Sequence, residues 1–257
     1  MPSVKARPRP ETWTERRSTI RHRVSKPFYW LEWYWEWVAF ALSNWVFLEV
    51  LEYAGRLSVL VAVIFYVVEW PDRQKQKHYQ AWQVINTAQG KGGSGGRIEA
   101  LHELNEDRVP LVGVNVSGAA LMGVGLERAD LHRSTFEGAD LRNCNLRSAN
   151  LEYADLSQAN LRGGDLRKAD LANADLSDAD VNGADFAGAD LSGANLGNTD
   201  LRNCDLRDIK WKDITSFKQA NIYRVKNPPP GFIETATQGG AVSIESDEAW
   251  LKMITKP

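Results

Sequence analysis

Asp or Asn occupies every fifth position from Asp140 to Asp205, and two arginine sets, Arg142, Arg162, Arg202 and Arg147, Arg167, Arg207, fall at multiples of twenty residues. Carboxylates and guanidinium groups in such number could serve as general acids, calcium ligands or anion clamps. Their regularity argues against the first two, because a reacting centre needs a few unlike groups converging in a pocket that excludes water. His22, His78, His102 and His132 are scattered along the chain, and no Cys-His or His-Glu spacing suits a metal ion. The glycine-rich residues 90–96 lack the Lys-Ser or Lys-Thr pair of a phosphate-binding loop and read as a hinge. The chain is therefore expected to be a non-enzyme without cofactor or metal.

The elements that place these groups follow from the period. The stretch from residue 111 to about residue 222 is typified by ADLRN CNLRS ANLEY ADLSQ ANLRG GDLRK: an apolar residue, a small residue two before it, and Asp or Asn between. Helices repeat at 3.6 residues and strands at 2. A period of five belongs to a solenoid.

This pattern resembles the pentapeptide-repeat family over a little under half of the chain. The resemblance implies a mainly β fold, a right-handed quadrilateral β-helix in which four pentads make one coil. The apolar centres then run from Leu111 and Val116 through Phe136 and Leu141 to Leu206 and Trp211 and fill the shaft. Ala139, Ala149, Ala154, Ala159 and Gly164 point inward beside them, where only small residues fit. A one-residue insertion after Trp211 shifts the frame, with Phe217 and Ile222 continuing the ladder. Asp and Asn face outward at turns, where they accept hydrogen bonds from nearby amides. Residues twenty apart stack in columns, with coils about 4.8 Å apart. Cys144 and Cys204 occupy small inward positions three coils apart, roughly 14 Å and beyond the disulfide limit of about 7 Å, so two buried free thiols are expected.

Outside the repeats, residues 1–27 carry Lys5, Arg7, Arg9, Arg16, Arg17, Arg21, Arg23 and Lys26 against Glu11 and Glu15, a basic disordered arm. Residues 28–70 are apolar and aromatic and read as a helical membrane anchor. Trp30, Trp33, Trp35 and Trp37 suit the headgroup layer, and Arg56 interrupts the second apolar segment, Tyr53 to Val68, near one end. Basic residues on both flanks favour a hairpin with Glu49 to Arg56 at its outer tip. The competing readings are one in-plane aromatic helix followed by one spanning helix, and a soluble helical pair. Residues 71–108 are expected to form a helical stalk with Tyr79, Trp82 and Ile85 on one side, the hinge, and a capping helix, 97–106, with Ile98, Leu101 and Leu104 inward. The repeats span 109–225. Residues 226–257 form a closing lid in which Phe232, Ile244, Trp250 and Leu251 give apolar cover and Ser246 caps a last helix.

Two arginine columns on adjoining faces and an acidic belt of Asp170, Asp175, Asp178, Asp180, Asp185 and Asp190 are the candidate binding surfaces. The reading is a non-catalytic scaffold tethered to a bacterial cytoplasmic membrane, with the rod in the cytoplasm, facing membrane lipid and a protein partner, and open to homo-oligomer formation. One alternative is an accessory subunit of an integral membrane complex or transporter. Another is a topoisomerase-binding DNA mimic, known among such repeat proteins, although a rod with basic columns fits nucleic-acid mimicry poorly.

Overall fold

The computed structural model describes residues 8–19, 26–43, 46–87 and 94–255. They fall into two compact units, Met1–Arg73 and Gln74–Pro257. The second is dominated by the repeats.

Parallel bridges join each Asx position to the residue twenty further on, from Asn115↔Thr135 to Asp190↔Lys210. Four five-residue sides therefore complete a coil. The pentad around Leu156 shows why the chain adopts this path. Leu156 N–H donates to Asp175 O (2.7 Å), Gln158 N–H to Ser177 O (2.9 Å) and Asn160 N–H to Ala139 O (2.8 Å), three bonds to neighbouring coils. Ala159 N–H closes a turn on Leu156 O (3.1 Å). Ser157 N–H, the fifth donor, is taken by the Asp155 carboxylate at 3.0 Å. Every backbone donor of the pentad is thus satisfied. Gln158 sits at φ 58, the left-handed conformation that the third residue of a type II turn requires.

The centres are sealed: Leu111, Leu141, Leu161 and Leu206 are wholly buried, as are Ala139, Ala159 and Ala194 at the small position. Burying one Leu or Phe contributes about 1.5–3 kcal/mol, so the ladder of centres is the main source of cohesion. Cys144 and Cys204 are free and buried, and burial pushes the Cys144 thiol up to about 12. Gly164 lies against Cys144: a Cβ there would meet Cys144 Sγ at 3.1 Å and Leu161 O at 3.0 Å.

The frame shift falls where the insertion predicts. After Lys210 the bridges lengthen to twenty-one residues, Asn195↔Ser216, Asp200↔Asn221 and Asp205↔Lys226. The last coil is extended by Asn221↔Val242.

Helices close both ends of this unit. Six helices are described in the chain: α1 (Trp13–Thr19), α2 (Lys26–Ser43), α3 (Val46–Thr87), α4 (Arg97–Glu106), α5 (Phe232–Gln238) and α6 (Asp247–Ile254). At the first coil, Ala100, Leu101 and Leu104 of α4 are buried together with Ala81 and Ile85 from the end of α3. Trp82, Val84 and Ile98 pack against them, and His78 Nε2 meets Asp107 Oδ2 at 2.8 Å. Tyr79, expected on one side with Trp82 and Ile85, is exposed, and Ala81 is buried along with Ile85. Residues 90–93 of the expected hinge, and 88–89 before it, lie outside the described residues.

At the last coil Phe232 is buried edge-on to Trp211 and Phe217, with ring centroids 5.5 and 5.7 Å away. Ser246 Oγ accepts from Ala249 N–H (3.3 Å) and starts α6, whose Trp250 is buried. Leu251, expected as cover, is half exposed, because the inward face of this short helix is taken by Trp250.

In the first unit, α3 runs unbroken through residues 49–56, so the expected hairpin tip does not form there. A single Gly55 costs a helix about 1 kcal/mol, too little to reverse the chain between apolar turns. Residues 44–45 between α2 and α3, and residues 1–7 and 20–25 of the basic arm, lie outside the described residues; the part of the arm described, expected to be disordered, holds α1. From Tyr53 onward α3 contains an 18-residue window of mean hydropathy 1.5, none of it buried.

The Gly164 contact yields a direct test. Gly164→Ala should lower stability by about 1–3 kcal/mol through overpacking, read by urea unfolding of the full chain with circular dichroism. Adding Cys144→Ala should recover most of that loss; strictly additive losses would show that the two positions do not share space.

Candidate functional site

The outward side chains are set by the turn. Where Asp or Asn precedes a centre, the residue after that centre donates its backbone N–H to the Asx side chain, as Arg142 does to Asp140 and Arg167 to Asp165, which brings its own side chain beside that group. Arg142 shows the result: Nε and Nη2 fork onto Asp140 at 2.8 and 2.6 Å. Arg167 does the same with Asp165, at 2.8 Å from Nε, and reaches Asp185 a coil away at 3.8 Å. Arg207 pairs with Asp205 at 3.3 Å. Where the Asx is Asn, the pairing changes. Arg162, following Asn160, crosses to Asp180 of the next coil (3.1 Å), and Arg147, following Asn145, forms no ion pair among the described residues.

Arg202 departs from the expected exposed column and is buried. Its guanidinium forks onto Asp200 at 2.8 and 2.6 Å, donates to Glu245 O at 2.8 Å, pairs with Asp247 and lies 5.6 Å from the Trp250 ring. The cause is the C-terminal segment, which folds α6 over this face. Sequence reasoning missed this, as it missed Asn221, whose buried amide donates to Ile244 O (2.8 Å) and accepts from Ile244 N–H (3.1 Å). The register gave a signal, since Asn221 stands one coil beyond Asp200 at the place where the tail returns.

The acidic belt is dispersed by cations one coil away. Asp180 meets Arg162, Asp185 lies 3.8 Å from Arg167, and Asp190 takes Lys210 at 3.0 Å. Asp175 accepts from Asn195 (3.0 Å) and Asp178 from Asn198 (2.9 Å). The Asp170 carboxylate accepts the Ala172 N–H at 3.1 Å. Arg142, Asn143, Asn160, Arg162, Gly163 and Asn182 line a shallow polar groove on one face.

These pairings set the carboxyl groups apart. The Arg142 guanidinium holds Asp140 below the usual range, Arg167 does so for Asp165, and the Asn227 amide with the Arg207 N–H does so for Asp205. Burial pushes Asp180 the other way, against Arg162.

The first unit places its aromatic candidates in two groups. Trp33 and Trp37 both aim their indole N–H at Glu11 O, at 2.7 and 3.3 Å, and the Trp13 ring lies 5.7 Å from Trp33. Arg16 pairs with Glu32 (3.8 Å) and with Glu36. Trp30 and Trp35 are exposed, and so is Arg56 on α3.

Two outcomes are expected from this geometry. Arg202→Ala leaves the Asp200 carboxylate buried and unpaired, which should cost about 3–5 kcal/mol and make the chain beyond residue 240 the first site of limited proteolysis. Arg202→Lys should restore little, since an ammonium cannot reproduce the planar fork. For acid, the depressed carboxyls Asp140, Asp165 and Asp205 contribute stability that is present above the unfolded value of about 3.9 and is lost as pH falls through their folded values. Asp180, raised, opposes them, losing its contribution as pH rises. Against its burial, Asp190 is held low as well, by hydrogen bonds from Ser192 and Lys210. Four lowered carboxyls of the repeats thus stand against one raised, and the urea midpoint should fall as pH drops below about 4; a midpoint unchanged to pH 2 would contradict the pairings.

Residues 125–163 and 169–208 match the Pentapeptide repeats family in 8 copies. Among solved structures, the chain is 28% identical to the pentapeptide repeat protein Rfr23 from the cyanobacterium Cyanothece 51142, covering 38% of this chain and 60% of that one with a TM-score of 0.30. It is 38% identical to a pentapeptide repeat protein from Nostoc PCC 7120, covering 35% of this chain and 76% of that one with a TM-score of 0.27. A pentapeptide repeat protein of the Arabidopsis thaliana thylakoid lumen is 23% identical, over 50% of this chain and 88% of that one, with a TM-score of 0.22. The chain thus spans about three fifths of the length of Rfr23. No curated protein sequence matches it. The repeats form a right-handed β-helix, and the chain belongs to the pentapeptide-repeat family.

Proposed function

We propose that this protein is a membrane-tethered scaffold that offers its β-helix to a protein partner or an anionic surface, without turnover. The observation that carries the reading is the fully exposed apolar length of α3. Val59, Leu60, Val63, Ile64, Phe65, Val67 and Val68 each leave more than half of their surface uncovered. A patch of this extent on a soluble monomer would be unusual. In a bilayer the same helix is satisfied internally along its backbone and solvated by lipid along its sides. Arg73, Lys75 and Lys77 follow the apolar stretch, which favours placing the repeat unit on the cytoplasmic side.

The filled shaft supports scaffolding. A rod whose centres are buried Leu, Val and Phe holds no chamber for a reactant, while its rigid columns lose little conformational entropy on binding. Self-paired Arg and Asp leave only local charge, so the topoisomerase-binding reading, which needs a continuous acidic face, is disfavoured.

Deleting residues 28–70 should move the protein from the membrane pellet to the soluble fraction after carbonate washing. Persistent pelleting of the deletion variant would sink the anchor. Sizing and mass spectrometry of the detergent-solubilised protein separate a lone or self-associated scaffold from a subunit that travels with an integral complex.

A further inference from the structure

The α1 helix and the turn before it cover one side of α2 and leave the other bare. On the covered side stand Glu32, Trp33, Glu36 and Trp37, spaced one helical turn apart. Both carboxylates meet Arg16, both indole N–H groups meet Glu11 O, and Arg9 lies 5.6 Å from the Trp37 ring. On the opposite side Leu31, Tyr34, Trp35 and Leu42 recur at i, i+3, i+4 and i+11, the stripe of a single helix face. All four are exposed. Trp30 stacks on Tyr34 at 5.7 Å and extends the aromatic edge.

The two acidic residues are the obstacle to any apolar use of α2. A helix carrying two carboxylates within its aromatic turns is repelled by anionic headgroups and resists leaving water. Arg16 lowers that obstacle by bridging both carboxylates on the side that α1 faces, which offsets one of the two charges, and their positions on the helix keep them off the bare face. What remains is an amphipathic unit with a cation-bearing polar back and an aromatic front.

We propose that α1 and α2 form a lipid-interface clasp: α2 lies in the plane of the headgroup layer of an anionic bilayer with Leu31, Tyr34, Trp35 and Leu42 facing the acyl chains, and Arg16 of α1 bridges Glu32 and Glu36 on the aqueous side. The occupant is lipid and not a protein helix for two reasons on this surface. Tyr and Trp with a polar atom at the ring edge suit the wet boundary of a bilayer. The covering segment, with Arg9, Arg16 and Arg17 against Glu11 and Glu15, together with Lys26 balances Glu32 and Glu36 of α2, so the pair carries no net negative charge for anionic headgroups to repel. The clasp rests on the anchoring role proposed for α3 only in so far as that helix brings α2 to the surface. Trp33 and Trp37, read from sequence as membrane contacts, become the platform on which α1 sits.

The test uses the full chain in vesicles of phosphatidylcholine and phosphatidylglycerol, with an environment-sensitive thiol probe placed by Trp35→Cys, Leu31→Cys, Ser18→Cys or Val63→Cys in separate proteins. The native cysteines are buried and stay unlabelled while the protein is folded. Probes at 31 and 35 should be quenched by nitroxide-labelled lipid and protected from aqueous iodide, whereas the probe at 18 on the back of α1 should show the reverse. Arg16→Ala should cut lipid quenching at 35 at least twofold, and adding Glu32→Gln with Glu36→Gln should restore it, which separates charge masking from simple loss of a helix contact.

Iodide access at 31 and 35 with a lipid-buried probe at 63 would overturn the clasp and leave the anchor standing. A probe at 63 open to iodide would overturn the anchor itself. Protection of 35 from both quenchers would mean that a second copy covers the face, and that too overturns the lipid assignment.

Discussion

The structure depends on one accounting constraint: a five-residue side of the coil has five backbone N–H groups and must find five acceptors. Carbonyls of adjacent coils supply three and the turn supplies one. The last is supplied by the Asx side chain, as Asp155 does for Ser157 and Asp185 for Ala187. A charged acceptor strengthens such a bond, and the remaining carboxylate oxygen is left at the surface with spare capacity. The Asp repeat that first suggests catalysis is therefore a structural component, and the arginines arrive beside it because the same turn delivers both.

That constraint also decides where function can sit. With the inward positions occupied by centres and small residues, no wall of the shaft is free to hold a ligand, and chemistry is confined to the outer columns and the capping segments. There the outcome at each coil is set by small choices. Asp before the centre gives a self-paired arginine, Asn sends it to the next coil, and a returning tail buries it, as for Arg142, Arg162 and Arg202. A column that is uniform in sequence is thus diverse in electrostatic effect.

Much of this was legible in the sequence because the period is unusual and each position has one physical demand. The centres, the buried thiols, the frame shift after Trp211 and the spans of α4 and α6 all follow from local pattern and capping chemistry. Contacts made by returning segments were not legible. Nothing near Arg202 announces Asp247 and Trp250, and nothing near Glu32 and Glu36 announces Arg16, because those pairings depend on where a separate helix lies down. The expected turn at residues 49–56 failed for another reason: charges at Glu49, Glu52 and Arg56 resemble a loop in composition, yet each is a good helix former, and no proline or paired glycine stops the helix there.

The single extra residue after Trp211 shows how such a chain can change in length. Absorbed as a local bulge beside the closing helices, it offsets the register by one and leaves the inward pattern of Phe217, Ala220 and Ile222 intact. In the interior, where Leu must stack on Leu, only whole quintets preserve that pattern. Each quintet added or lost advances all later outer columns by a quarter turn. Growth by this quantum rotates the surface lettering while the interior stays the same, so a new binding face can arise from duplication alone, without a single change inside the shaft.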